Sequence, residues 1–292
     1  MKIVITGGCG FIGSSFVNLC LKQGYEVLVV DKLTYAANQS NIPKDTPLLI
    51  KDICDVTAED LGNYEYLVNF AAESSVDSSI KDGKPFLKSN VEGTFNLLEL
   101  ARKNKNLKKF VQISTDEVYG DLDNLDVEAS YEENILYPSS YYSSTKASAD
   151  MLVYSCGHTY GIPYVITRTC NNFGIKQHKE KFIPKIMHYL KEGMPIPIYG
   201  DGKQVREWIW VEDNVNQVFE LMLHDLGTFN IGSGDTMQNI DIIEYIGELL
   251  KKPAQFKYVE DRLGHDVRYT LGTHFQKPKI TKSLFEFIKE IL

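Results

Sequence analysis

Short runs of apolar and β-branched residues recur through the first half of the chain, at Lys2–Thr6, Glu26–Val30, Pro47–Ile50, Tyr66–Ala71, Lys109–Ser114 and Pro163–Thr167. Between several of them lie longer stretches of helical character, Phe11–Gln23, Pro85–Lys103 and Tyr141–Tyr160. Strands that are apolar without alternation are buried on both faces, which calls for a parallel sheet covered by helices. Right-handed crossovers then wind that sheet in both directions. The pattern therefore predicts an α/β fold around a doubly wound parallel sheet.

Beyond Arg168 the pattern changes. Prolines and glycines crowd Gly193–Gly202 (GMPIPIYGDG), an extended and turn-rich segment. Helices are expected at Val211–Leu223, Ile240–Leu250 and Ser283–Leu292, and strands at Thr228–Ile231 and Gln255–Val259. This predicts a smaller, irregular α/β C-terminal domain over residues 171–292, following a first domain over 1–170, with parts of about 204–232 packing back onto the first.

Composition narrows the function. A chain of 292 residues buries roughly 75% of its unfolded surface and needs no disulfide or metal staple. The net charge of −8 argues against a nucleic-acid partner, which would require a basic stripe. A phosphate-bearing ligand held by a few local donors remains open. The five cysteines are scattered without C-x-x-C, and the six histidines form no H-x-x-H or H-E-x-x-H. No metal site is expected, and the thiols suit a reducing compartment. No apolar run reaches the ~18 residues of a membrane span. The opening MKIVITGG reads as a strand and turn, without the apolar core of a leader. The expected setting is cytoplasmic, with no membrane partner.

Gly8-Cys9-Gly10-Phe11-Ile12-Gly13 fits G-x-G-x-x-G, and Gly7 extends it to G-x-x-G-x-x-G. It follows a strand and opens a helix, the context in which glycines let the backbone approach a pyrophosphate at a helix N-terminus. Asp31 ends the second strand, 18 residues after Gly13. A carboxylate there accepts from the ribose hydroxyls of NAD and repels the 2′-phosphate of NADP. Asp52-Ile53, after the third strand, and Ala71-Ala72, ending the fourth, are placed for adenine and close cofactor approach, but are equally ordinary as structural residues. The expected architecture is thus a Rossmann-type NAD-binding sheet.

Tyr142 and Lys146 stand four apart and share a helix face. An ammonium beside a phenol favours the phenolate, so Lys146 is expected to lower the Tyr142 pKa and make it a base for a hydroxyl proton. The preceding strand ends at Ser114-Thr115, and strand C-termini face the ligand crevice in such sheets. Thr115 can donate there to an alcohol or ketone oxygen. Asp116-Glu117 follows. Two carboxylates in different environments can serve as acid and base, but the spacing fits an acidic helix start equally well.

The chain resembles the extended short-chain dehydrogenase/reductases, and among them the dTDP-glucose 4,6-dehydratases. The resemblance runs from TGGCGFIGS (Thr6–Ser14), DKLTYAAN (Asp31–Asn38), KDICD (Lys51–Asp55) and AAES (Ala71–Ser74) to STDEVYG (Ser114–Gly120), YSSTK (Tyr142–Lys146) and RTCNNFG (Arg168–Gly174). It continues through EKFIP (Glu180–Pro184), PIYGDGKQVREWIWVED (Pro197–Asp213), NIGSG (Asn230–Gly234) and DRLGHDVRY (Asp261–Tyr269). Its sharpest element is the Asp-Glu pair: related 4-epimerases generally lack it, and decarboxylases usually keep only the Glu.

The resemblance implies NAD as cofactor and a nucleotide-sugar substrate, dTDP-glucose favoured over UDP-glucose. Tyr142 would take the 4-hydroxyl proton with Thr115 holding O4, Glu117 the C5 proton, and Asp116 would protonate the departing 6-hydroxyl. Lys32, Leu33, Thr34, Phe70, Ser74, Ser89 and Asn172 would join the cofactor site. Ser74, Asn171, Lys181, Pro197, Ile198, Tyr199, Arg206, Asn239, Arg262 and His265 would face the sugar nucleotide, Arg206 and the Asp261–His265 loop meeting the diphosphate and nucleoside. A homodimer would pair the helices at Pro85–Lys103 and Tyr141–Tyr160, with Phe95, Leu98, Leu152 and Val153 as apolar residues. The chain departs from the family at Asn69, Ser75 and Ser78, where it usually has His, His and Arg, at Phe173 for Tyr, and at Ile175 for Pro. The alternatives are a UDP-sugar dehydratase, a 4-epimerase or decarboxylase of the same fold, and a non-catalytic NAD-binding regulator.

Overall fold

The first half of the chain alternates strand and helix. In order come β1 (Lys2–Thr6), α1 (Phe11–Lys22), β2 (Glu26–Asp31), β3 (Leu48–Ile50), α2 (Ala58–Leu61), β4 (Tyr66–Asn69), α3 (Val76–Lys81), α4 (Lys84–Phe86) and α5 (Gly93–Lys103). They continue with β5 (Lys109–Thr115), α6 (Leu122–Leu125), α7 (Tyr141–Tyr160) and β6 (Tyr164–Thr169). The second half contains β7 (Asn171–Phe173), α8 (Phe182–Glu192), β8 (Ile196–Tyr199), β9 (Val205–Trp210), α9 (Val211–His224) and β10 (Gly227–Ile231). It ends with β11 (Thr236–Gln238), α10 (Asn239–Leu250), β12 (Phe256–Val259) and α11 (Leu284–Ile291). The structure, a computed structural model, describes every residue except 126, 262, 263 and 265.

Seven parallel strands form the main sheet in the order β10-β6-β5-β4-β1-β2-β3. Successive side chains alternate between its faces. Ile3 and Ile5 pack with Phe16, Val215 and Phe219 under α1 and α9, while Val4 packs with Leu97, Leu98 and Val153 under α5 and α7. The strand order reverses beside β1, so a crevice opens at the C-terminal strand ends. The later strands form a three-stranded sheet, β11-β9-β7, and the pair β12-β8. A third core around Phe173, Ile186, Trp208, Ile246 and Phe287 supports them.

Three sequence expectations change. The single helix expected over Pro85–Lys103 is α4, a π-helical turn at Leu87–Glu92 and α5. The turn is pinned by Asn90, whose side chain accepts from Glu73 N at 2.9 Å and donates to Thr145 Oγ1 at 3.0 Å. The fourth strand stops at Asn69 rather than Ala71: Phe70 N still bonds Thr6 O at 3.0 Å, but Ala71 N turns to the Thr6 side chain, Oγ1 at 3.4 Å, where both residues pack on Gly7. The helix α8 and the strands β7, β9 and β11 were not read from the sequence.

Candidate active site

A cavity of about 700 Å³ opens at the C-terminal strand ends. One wall is built by the β1–α1 turn, β2, β5 and α7, and the other by residues 177–189, β8, β9 and α10.

The glycine turn makes a tight cradle. Gly7 has φ +67°, and a Cβ there would lie 2.6 Å from Ala71 N. A Cβ on Gly13 would overlap the Gly7 carbonyl oxygen. Among the described residues no side chain caps the N-terminus of α1, whose first residues Phe11, Ile12 and Gly13 line the cavity. Its donors and dipole are therefore directed at a ligand anion. The buried Asp31 carboxylate accepts from Cys9 N at 2.9 Å and from Leu33 N at 2.8 Å, one bond per oxygen. Each oxygen keeps acceptor capacity for a ribose hydroxyl. This cradle and its oriented carboxylate fit NAD.

Among the described residues, every one expected in the site lines this one cavity except Leu33 and Asp52. Leu33 serves through its backbone at φ +54°, which turns its N–H back to Asp31. Asp52 accepts from Cys54 N and pairs with Lys32, whose Nζ lies 3.7 Å from Asp52 and 3.3 Å from Glu73. Arg262 and His265 lie outside the described residues.

α7 begins with a capping box between Ser140 and Ser143, which fixes the start of the helix carrying Tyr142 and Lys146. The expected pairing of these two takes a different form. Lys146 Nζ donates to Ile113 O at 2.5 Å, and burial lowers its pKa to about 8. Burial, with the Glu117 and Asp116 charges, raises the Tyr142 phenol above its ordinary range, although a Thr115 hydrogen bond opposes this. Desolvation thus outweighs the cation in setting the phenol here.

Thr115 caps the short helical turn Asp116–Tyr119 by accepting from Glu117 N at 3.3 Å, and its hydroxyl bonds Asp116 Oδ1 at 3.1 Å. Burial, then the charges of Glu117 and Glu207, push the Asp116 carboxyl up to about 8. Its Oδ2 has no hydrogen-bond partner among the described residues. This shift favours the acid form of Asp116 near neutral pH.

Across the cavity, Lys181 Nζ reaches Ser74 O at 3.0 Å, and Asn172 Nδ2 is held by Cys170 O at 3.0 Å. Arg206 lines the cavity, but its guanidinium also donates to the carbonyls of Val205, Asp266 and Val267 and lies 4.6 Å from the Tyr269 ring centroid. Part of its expected role is thus to hold the 266–269 segment against β9. The sequence reading missed Lys185 and Tyr189 of α8, and Tyr269. The helical spacing of Ile183, Ile186 and Leu190, ended by Gly193 at φ +67°, was the available signal for α8.

The departures from the family separate by location. Asn69 is buried away from the cavity, accepting from Thr6 Oγ1 at 2.6 Å and donating to Gln112 Oε1 at 2.9 Å. Phe173 sits in the third core between Trp210 and Phe287, and Ile175 is exposed. Ser75 and Ser78 line the cavity.

The profile of the NAD dependent epimerase/dehydratase family matches residues 3–232. The chain belongs to this family. Among its relatives, the low-salt glycan biosynthesis protein Agl12 of Haloferax volcanii is 43% identical, over 93% of this chain and 90% of that protein. The dTDP-glucose 4,6-dehydratase of Haemophilus influenzae is 39% identical, over 93% of this chain and 89% of the enzyme. Among solved structures of the family, DesIV, a dTDP-glucose 4,6-dehydratase from Streptomyces venezuelae with NAD and TYD bound, superposes with a TM-score of 0.93 at 35% identity. That match covers 99% of this chain and 95% of DesIV. The UDP-glucose 4-epimerase of Thermus thermophilus, complexed with NAD, gives 0.90 at 26% identity, covering 99% and 97%.

Proposed function

We propose that the protein is an NAD-dependent hydro-lyase that converts dTDP-glucose to its 4-keto-6-deoxy sugar. The observation that carries this reading is the placement of Asp116, a buried carboxyl beside Glu117 in the same cavity as Thr115, Tyr142 and Lys146, where burial favours its acid form. Oxidation or epimerisation at C4 needs no such acid, whereas loss of water from C5 and C6 does.

NAD bound in the glycine cradle supplies the acceptor for the C4 hydride and returns that hydride to C6. Thr115 holds O4, and Tyr142 takes the O4 proton, a step that needs the cationic nicotinamide ring of bound NAD as well as Lys146 to offset the burial that holds the free phenol up. The resulting ketone acidifies C5–H, and Glu117 removes that proton. Asp116 gives its proton to the 6-hydroxyl, which leaves as water; Glu117 then returns its proton to C5 as hydride reaches C6, and the O4 proton taken by Tyr142 balances the one Asp116 gave. Lys181, Arg206 and Asn239 line the wall that would receive the nucleoside diphosphate.

The likeness to the dehydratases of Haemophilus influenzae and Streptomyces venezuelae favours the dTDP nucleotide. Burying the thymine methyl is worth ~0.8 kcal/mol, about fourfold, so UDP-glucose is expected to be a slower substrate. Exposed Phe95, Met151 and Tyr154 on α5 and α7 support a C2 homodimer through these helices. Leu98 and Val153 face the core and take no part. Free cysteines support a cytoplasmic setting. Among the described residues no helix is long and apolar enough to cross a membrane.

The test is incubation with dTDP-glucose and UDP-glucose, following the alkali-induced absorbance of a 4-keto product. Product from dTDP-glucose at the higher kcat/KM is expected. Bound NAD with no product from either would remove the dehydratase reading.

A further inference from the structure

Tyr142, Lys146 and Asp150 follow one another at four-residue spacing along one face of α7. Asp150 is completely buried, and its Oδ2 accepts from Arg168 Nε at 3.0 Å. Arg168 reaches the other way with Nη1, donating to the Tyr119 hydroxyl at 2.8 Å, while its guanidinium lies 4.9 Å from the Tyr119 ring centroid. Tyr119 is the last residue of the turn that begins with Asp116 and Glu117. Its hydroxyl donates on to Asn230 Oδ1 at 2.8 Å. Asn230 is the register partner of Arg168 in β10 and is anchored to the carbonyls of Ser130 and Gly272 at 2.9 and 2.7 Å. Asp150, Arg168, Tyr119 and Asn230 all lie outside the cavity lining.

We propose that Arg168 is a positioning residue that sets Tyr142 and Lys146 against Asp116 and Glu117, acting through Asp150 on one side and Tyr119 on the other. Buried ion pairs add little net stability over apolar residues of similar size, but they fix geometry. The planar guanidinium suits this because its donors leave in set directions. One sugar ring must present O4, C5–H and O6 to three different side chains. The two elements carrying those side chains come from separate parts of the chain, and a misplacement of ~1 Å can cost ~10²-fold in rate.

The proposal rests on the dehydratase reading, and its test separates the two. Tyr119→Phe keeps the ring against the guanidinium and deletes only the bridging oxygen. In single turnovers of the NAD-loaded protein with dTDP-glucose, C4 oxidation should stay within about threefold of wild type while elimination slows ~10–100-fold, with KM nearly unchanged. Reduced cofactor should therefore accumulate, seen by its near-ultraviolet absorbance. Arg168→Lys, which keeps the charge without the fork, should show the same partition. A purely structural role would change Tm or active fraction but not the ratio of the two steps. Equal slowing of both steps, or of neither, in Tyr119→Phe overturns the proposal. If wild type turns over neither dTDP-glucose nor UDP-glucose, the dehydratase reading fails and amide hydrogen exchange decides the positioning role. Loss of protection in Tyr119→Phe at both 116–119 and 146–150 supports it, and unchanged protection overturns it.

Discussion

Asp116 and Glu117 are neighbours in the chain but not in environment. Asp116 is 4% exposed, whereas Glu117 is half-buried in the cavity wall. The Glu117 charge adds to burial in pushing the Asp116 carboxyl up to about 8. The carboxylate in the wall thereby favours the acid form of its buried neighbour.

Asp116→Asn is expected to slow elimination ~10²–10⁴-fold, because an amide cannot protonate the departing hydroxyl. Oxidation at C4 should persist, so reduced cofactor builds up after substrate is added. In wild type the acid must be protonated, so elimination should hold below about pH 8 and fall as pH rises through that value. Single-turnover profiles should show this alkaline limb and its loss in Asp116→Asn. Wild-type elimination in the variant would remove Asp116 from the chemistry.

Asp31 should select NAD over NADP, since a carboxylate there repels a 2′-phosphate. Asp31→Ala loses charge-assisted bonds worth ~1.5–3 kcal/mol, about 10–150-fold in affinity. Calorimetric titration of cofactor-stripped protein should show weakened NAD binding and a reduced preference against NADP. Tighter binding of NADP by wild type would contradict the assignment.

Gly13→Ala should nearly abolish cofactor retention, because the new methyl overlaps the Gly7 carbonyl oxygen at the pyrophosphate cradle. Gly24→Ala is a useful contrast: it lies at φ +77° with no atom near its missing Cβ. That variant should lose some Tm from backbone strain yet keep its cofactor, measured by absorbance after denaturation. Equal cofactor content in the two variants would count against the cradle.

Light scattering should give a dimer mass. Met151→Glu, placing a charge on the exposed face of α7, should shift the protein to monomer without loss of secondary structure. A dimer of unchanged affinity in that variant would move the interface elsewhere.

What could be read from sequence was local. The glycine turn, Asp31 and the Tyr142–Lys146 pair each fall within one strand–turn–helix unit or one helix face, so spacing alone brought out their geometry. The wall around Lys185 and Tyr189 was not seen, because the helix that carries it holds Pro184 in its first turn. Pro is tolerated there but reads as a breaker. β9 was missed for another reason. It buries Arg206 and Glu207, and the Glu207 carboxylate is satisfied by the backbone N–H groups of Gly234 and Leu271, both distant in sequence. The phenol of Tyr142 shows the same limit. Helical spacing revealed its cation, while the burial that outweighs it depends on the whole fold.

The last strand of the seven-stranded sheet to be made has a consequence for biosynthesis. β10 covers the flank of β6, yet it follows β6 by almost sixty residues. Until β10 is made, the sheet leaves the edge of β6 uncovered, an edge of the kind that recruits other chains. The chain at that stage also lacks Asn230, the acceptor beneath Tyr119. Ribosome-stalled chains released just before Gly227 should thus be both prone to aggregate and catalytically silent, although every side chain assigned to proton transfer has already been synthesised.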